Sequence, residues 1–489
     1  MKPDSRTHFR CFVFLVAVLA LFLAASSQSF WIDEAITARY SAQPTFHDWT
    51  HLMVTDRGGS DPQMPLYLFW TWLWDKIFGD SEHSLRLAGW PWLAVGLAFF
   101  SWRKSAFFAL TCALSAFLWY YSDEARPYAM QAGLALALLR AAISLAGEKL
   151  EPREETFWQI VLLVSGTLLA MSHLLGMFWT AAYWGFCLFA MPRDRRLGTL
   201  HQTWPLWLFA IGLLGVTCYW YLWTITHGLR ATDAGTTDLR NVIFSLYELS
   251  GLSGLGPGRL EIRDNGLAAF KPFAAPLALG LTATFALVIF GLGELLRLLG
   301  LKRGTLLLLC LSGAMVLILG IGVAKHFRVL GRHLTPLLPF ILWLLAAGAS
   351  RLWHLRGPVG RAVVTIWALV AAASCYEIHF APRHAKDDYR SAAAVANAAL
   401  QQNKIVWWNA DYNAAWYYHV PLGPLNEPAT NAAIHLATPD PQLIASLPRP
   451  DVILSTKPDV YDKQFVVQNF ANHNYPLTRT FTAFKVWEK

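Results

Sequence analysis

Three short stretches concentrate ionisable residues beside apolar runs. WIDEAITARY (31–40) sets Asp33 next to Glu34, SDEARPYAM (122–130) holds Asp123, Glu124 and Arg126, and AKHFRVLGRHLTPLLP (324–339) holds Lys325, His326, Arg328, Arg332 and His333. Charge near hydrocarbon is costly, so such groups have partners or a role. A partly desolvated carboxylate gains proton affinity, which suits a general base that takes a proton from a hydroxyl. Arginine forks match phosphate oxygens, and at the bilayer interface they meet a lipid phosphate at its natural depth. A carboxylate base beside a basic phosphate clamp suits transfer from a lipid-phosphate leaving group to an acceptor hydroxyl or amine. The plainer readings are solvated loop acids for Asp33 and Glu34, and a local salt bridge for Asp123, Glu124 and Arg126. His173 in MSHLLGMF reads first as a helix-end hydrogen bonder.

These stretches need a scaffold, and composition supplies its class. The chain has 489 residues, 55% hydrophobic and only 15% charged, too apolar for a soluble protein of that size. Apolar runs fall near 9–27, 85–102, 105–121, 128–146, 156–172, 174–191, 204–225, 272–296, 304–324, 333–350 and 361–379. Runs of this kind match a hydrocarbon core about 30 Å thick, so the expected fold is an α-helical polytopic membrane protein with about eleven transmembrane helices. Basic residues mark one side: Lys2, Arg6 and Arg10; Arg103 and Lys104; Lys149 and Arg153; Arg193, Arg195 and Arg196; Lys302 and Arg303; Arg351, Arg356 and Arg361. The positive-inside rule makes that side cytoplasmic, with the N-terminus, and explains the net charge of +8 without a nucleic-acid partner. All three charged stretches then fall on the outer face. The expected location is the cytoplasmic (inner) membrane, with the active site and C-terminal domain periplasmic or extracellular.

The expected domains are a membrane catalytic region over 1–380 and an extracytoplasmic α/β domain over 381–489, where helical and short strand-like runs alternate. Within the first outside loop, 28–84, PLYLFWTWLWDKIFG (65–79) is too short and aromatic for an ordinary span and predicts an interfacial helix. The glycine-rich GLSGLGPGRLEIRDNG marks the second outside loop as mobile or tightly turned. In the tail, WWNADYNAAWYYHV (407–420) reads as packed core, or alternatively as a sugar-stacking surface. All six cysteines lie in apolar segments and read as buried small hydrophobes. The N-terminus imitates a signal peptide, but the functional residues just after it favour an uncleaved signal-anchor. Walker loop, GxGxxG, HExxH and CxxC motifs are absent.

WIDEAITARY resembles the Asp-Glu motif of GT-C glycosyltransferases of the protein O-mannosyltransferase and lipid A aminoarabinose transferase type. MPLYLFWTWLWDKIFGDSEHSLRLAGWP, EARPYAM and RHLTPLLP resemble further segments of that branch in the same order. The resemblance implies a helical membrane core with interfacial helices and a polyprenyl-phosphate sugar donor. Carried over, Asp33 is the base or acceptor-orienting acid, Glu34 supports it and Glu124 shapes the site. Arg126, Lys325, Arg328, Arg332 and His333 become donor-phosphate candidates, with Asp61, Tyr67, Asp123, Tyr128 and His173 toward substrate. No cofactor is certain, and a divalent metal stays open. Gln63-Met64-Pro65 stands where many relatives have His-Pro-Pro or an acid and a lysine, and glutamine is a poor metal ligand. The expected partners are the donor, a lipid, glycan or protein acceptor, and membrane lipid. A lipid-linked sugar transporter or flippase, and a surface-polysaccharide ligase or polymerase, are the alternative functions.

Overall fold

A computed structural model describes residues 5–56, 61–101, 105–147, 149–227, 236–355, 357–423 and 431–489. Lys2, Arg103, Lys104 and Arg356 of the basic pattern lie outside the described residues. The chain divides into two compact units, here called the helical unit and the mixed unit. The helical unit comprises Met1–Ala25, Thr45–Trp74 and Arg86–His384; the mixed unit comprises Ser26–Pro44, Asp75–Leu85 and Ala385–Lys489. The first outside loop is thus divided between them.

Among the described residues, six helical stretches of the helical unit are long and apolar enough to cross a bilayer: Tyr128–Gly147, Pro152–Ser172, Gln202–His227, Arg259–Ala324, Gly331–Leu355 and Gly357–Phe380. The protein is a multi-pass membrane protein. The longest stretch breaks at Gly300 (φ 76°) and folds back, so that Gly304 packs on Leu296. The expected span at 105–121 is instead two short helices, Ala106–Ala113 and Ala116–Ser122. Ser115 is the reason: its hydroxyl accepts the Leu118 amide and starts a new helix. The Trp119 indole then donates to the carbonyl of Ala113, which the break leaves open. Other expected spans are short as well, Trp90–Ser101 and Gly176–Ala190 among them.

The PLYLFWTWLWDKIFG stretch is helical over Pro65–Phe78, with Tyr67, Leu68 and Thr71 buried and Ile77 and Phe78 exposed. The GLSGLGPGRLEIRDNG stretch takes the tightly turned form of its two expected readings, leading from helix Leu239–Leu249 through tight turns into helix Arg259–Asn265. All six cysteines are free thiols.

The mixed unit is built on a six-stranded sheet: β1 Val406–Asn409, β2 Leu422–Gly423, β3 Ala433–His435, β4 Val452–Thr456, β5 Leu477–Phe481 and β6 Phe484–Glu488. The strand order is β2-β3-β1-β4-β6-β5, parallel as far as β4 and antiparallel beyond it. Central β1 and β4 are buried at every residue, as expected of parallel strands covered on both faces. Trp407, Ile453 and Trp487 pack in the core with Ile434 and Val467. The WWNADYNAAWYYHV stretch accordingly divides, with Trp407 and Trp408 fully buried and Tyr412 and Trp416 exposed.

Helices 90–101 and 128–147 meet backbone to backbone where Gly96 faces Gly133. A Cβ on Gly133 would lie 2.2 Å from the Trp92 carbonyl oxygen, and one on Gly96 2.1 Å from that of Gly133. Gly133→Leu is therefore expected to abolish the monodisperse peak in size-exclusion chromatography. Gly185→Leu, at a helix position with nothing within 4 Å, should leave the peak intact.

Candidate functional site

In the helical unit the charged stretches after 121 and 324 fold together with parts of the two outside loops. Helix 116–122 ends at Ser122, and the turn that follows carries Asp123, Glu124 and Arg126, all buried. Arg126 Nη1 donates to Asp61 Oδ1 at 2.6 Å, and both side chains are 7% exposed. Arg86 Nε lies 3.7 Å from Asp123 Oδ1. Just after Asp61, the Pro62 carbonyl accepts the Trp220 indole N–H and the Gln63 carbonyl accepts the Leu174 amide. Asp61 and the His173 turn are thereby held by neighbouring backbone. Tyr67 and Tyr128 are buried nearby in sequence, and Tyr128 lies 5.0 Å ring to ring from Tyr121.

His173 and His333 stand 6.4 Å apart, ring centre to ring centre. Each uses Nδ1 to accept a backbone N–H, from Leu175 at 3.0 Å and from Leu330 at 2.9 Å. A neutral ring so bonded carries its proton on Nε2. Burial, helped by the Arg126 and Arg332 guanidiniums, pulls His173 down to about 3, so it is uncharged at neutral pH. Both histidines, with Tyr128, Gln131 and Arg332, line a tightly packed cavity too narrow to hold a water molecule. The basic cluster is split by this arrangement. Arg332 and His333 turn into the cavity, whereas Lys325 and Arg328 stay exposed on a chain that reverses at His326 (φ 54°).

Two residues that sequence reasoning passed over complete this end of the unit. Arg259 donates to Glu248 Oε1 and to the Tyr121 hydroxyl, both at 2.8 Å, and lies 3.8 Å from Glu124 Oε1. Glu248 also accepts the Gly331 amide at 3.1 Å, which ties the second outside loop to the turn before Arg332. The available signal was a Gly-Pro-Gly turn delivering an arginine into a loop full of apolar residues. Gly258 is needed there, because a Cβ would sit 1.8 Å from the Arg383 carbonyl oxygen.

In the mixed unit, Asp33 and Glu34 open helix 32–41. Glu34 is fully buried, takes Lys386 Nζ on Oε1 at 3.1 Å, and accepts the Trp31 amide. Asp33 is only partly buried. Helix 32–41 packs on Tyr412–Tyr417 through Phe30 against Tyr417 and an Arg39–Asn413 hydrogen bond of 3.1 Å. Asp411 caps that second helix, accepting the Ala414 amide at 2.9 Å, and also takes the Tyr461 hydroxyl at 3.3 Å. Burial pushes its carboxyl up to about 6 against the pull of these hydrogen bonds, and the charge of Asp33 adds to the rise. Beside them Lys457 pairs with Asp387 and lies 5.4 Å from the centre of the Trp31 ring. Among the described residues no three His, Cys, Asp or Glu side chains come together as a metal site.

No family model and no curated protein matches the chain. Solved structures do match. ArnT from Cupriavidus metallidurans in the apo state aligns over 99% of this chain and 98% of its own, with a TM-score of 0.53 at 12% identity. The chain has the GT-C fold. The same ArnT bound to undecaprenyl phosphate aligns over 98% of both chains, with a TM-score of 0.50 at 12% identity. An Archaeoglobus fulgidus oligosaccharyltransferase tethered with an acceptor peptide aligns over 92% of this chain and 69% of its own, with a TM-score of 0.50 at 12% identity. At such identity the likeness establishes the GT-C fold and leaves the chemistry to be argued from residues.

Two stability experiments follow. Glu34→Gln removes the buried carboxylate that Lys386 Nζ bonds at 3.1 Å and should cost about 3–5 kcal/mol, with part of the loss recovered in Glu34→Gln/Lys386→Met. Equal melting of Glu34→Gln and wild type would refute the pairing. Asp411 behaves in the opposite sense. Its folded carboxyl binds protons more tightly than an unfolded one, so its ionisation destabilises the fold progressively as pH rises from the ordinary carboxylate range through about 6. Asp411→Asn is expected to stabilise by about 2 kcal/mol above pH ~7 and by nothing below pH ~4. A melting difference that does not change with pH would contradict this.

Proposed function

We propose that the protein is a membrane glycosyltransferase that moves a sugar from a polyprenyl-phosphate-linked donor to a lipid, glycan or protein acceptor at the outer face of the cytoplasmic membrane. The observation that carries this reading is the end-to-end fold likeness to ArnT, a protein also solved with undecaprenyl phosphate. The residue chemistry supports it. Arg332 and two histidines with protons on Nε2 cluster together, a donor set suited to phosphate oxygens. Arg126 and Arg259 are the further guanidiniums of this unit's charged stretches, the first paired with Asp61 and the second with Glu248. Lys325 and Arg328, being exposed, are candidates for a first electrostatic contact with the lipid phosphate rather than for its final seat.

Asp33 is the proposed base and Glu34 its support, holding helix 32–41 through Lys386 rather than exchanging protons. In a single displacement Asp33 removes the acceptor proton, the acceptor oxygen or nitrogen bonds to the anomeric carbon, and the lipid phosphate departs with the bonding pair. Glu124 orients Arg259 in this scheme, and Asp61 orients Arg126. Asp123, Tyr67, Tyr128 and His173 line or brace the donor-binding end.

The test is turnover of a polyprenyl-phosphate sugar by reconstituted protein. Asp33→Asn is expected to fold and insert normally while losing roughly 10²–10⁴ in rate, the usual worth of a general base. Wild-type turnover by this variant would remove Asp33 from that role. Movement of the sugar lipid between leaflets without transfer would instead mark a transporter.

A further inference from the structure

A second open space lies at the other end of the helical unit. A cavity of about 540 Å³, open on one side, sits between helices 128–147, 274–324 and 338–355. Three guanidiniums, Arg140, Arg297 and Arg351, face it together with one carboxylate, Glu294. Arg351 Nη1 bonds Glu294 Oε2 at 3.0 Å, and Arg297 Nε bonds Oε1 at 3.0 Å, so one acid serves two arginines and positive charge remains. Arg140 stacks over the Trp158 ring at 5.1 Å, which holds its guanidinium in place. The rest of the wall is mostly apolar, with Phe100, Phe108 and Trp343 prominent and Ser105, Ser350 and His354 as its polar members. Leu298 and Leu355 line it too and are 45% and 67% exposed, so hydrocarbon continues outward from the opening.

This space is distinct from the site described above. Helix 128–147 begins with Tyr128, which lines the histidine cavity, and reaches Arg140 twelve residues later, roughly 18 Å away along the axis. Helix 338–355 follows His333 directly and runs in the same sense, reaching Arg351 near its far end. The cavity end also carries Lys149, Lys302 and Arg303, and Arg303 donates to the Ala146 carbonyl. By the charge-bias rule that is the cytoplasmic end, where anionic lipids gather.

We propose that this cavity binds the phosphate headgroup of an acidic phospholipid of the inner leaflet, with Arg297 and Arg351 on the phosphate and an acyl chain along the apolar wall toward Leu298 and Leu355. A guanidinium shared with a carboxylate can still offer its remaining N–H groups to phosphate, since each fork carries five donors. An apolar wall continuous with exposed leucines suits a lipid better than free phosphate, which would gain nothing from it. The proposal does not depend on the transferase reading.

The test uses the full-length protein reconstituted in mixed phosphatidylcholine, phosphatidylglycerol and cardiolipin, then extracted and read by native mass spectrometry. Wild type is expected to retain an acidic phospholipid several-fold above its share in the mixture. Arg297→Gln/Arg351→Gln should lower that retention about tenfold, with the size-exclusion profile unchanged. Ala347→Trp, which fills the cavity and keeps every charge, should lower it as well and serves if the double variant does not fold. Equal retention of phosphatidylcholine, or unchanged retention in both variants, would overturn the proposal. A melting shift with inorganic phosphate alone, lost in the double variant and without any lipid enrichment, would assign the cavity to free phosphate and reject the lipid.

Discussion

A carboxylate taken out of water must be met by a cation or by hydrogen bonds, and that requirement shapes both units. Glu34 meets Lys386, Asp61 meets Arg126, Glu248 meets Arg259 and Asp387 meets Lys457. Such pairs add little net stability, because desolvation consumes most of the attraction, yet losing one partner is severe. They therefore act as registration points. Three of the four join segments far apart in the chain, and the fourth, Glu248 with Arg259, closes a stretch of 11 residues.

The broad class was legible in the sequence because the bilayer imposes length and hydropathy on every span. The tail's mixed sheet was legible too, through the apolar runs that became β1 and β4. Helix breaks were harder. Ser115 looks like one polar residue inside an apolar run, and only its hydroxyl on the Leu118 amide turns it into a boundary. The basic cluster after 324 reads as one patch in sequence, but the reversal at His326 sends Arg332 and His333 one way and leaves Lys325 and Arg328 in solvent.

Partners were the least legible feature. Lys386 is 352 residues from Glu34, and no local pattern announces such a pairing. Arg259 was hidden for a different reason: its stretch was read for its glycines, and the glycines are there to deliver the arginine. Asp411 sits in an aromatic stretch whose packing drew attention away from its one acid. In each case the residue type was visible and its neighbour was not.

The mixed unit draws on the chain twice before residue 86 and once after 384. Tyr418 shows what this means: its hydroxyl takes the Phe30 amide at 2.7 Å and reaches Glu82 at 3.1 Å, so one late side chain holds two early segments. During synthesis those early segments leave the ribosome long before β1 exists. The helix that carries Asp33 must wait, without its packing partner, until nearly the whole chain has been made. Contacts of such sequence separation form slowly. The proposed base is thus assembled late, and a chain cut short before Tyr418 would leave the helix of Asp33 without its packing partner rather than merely lack a tail.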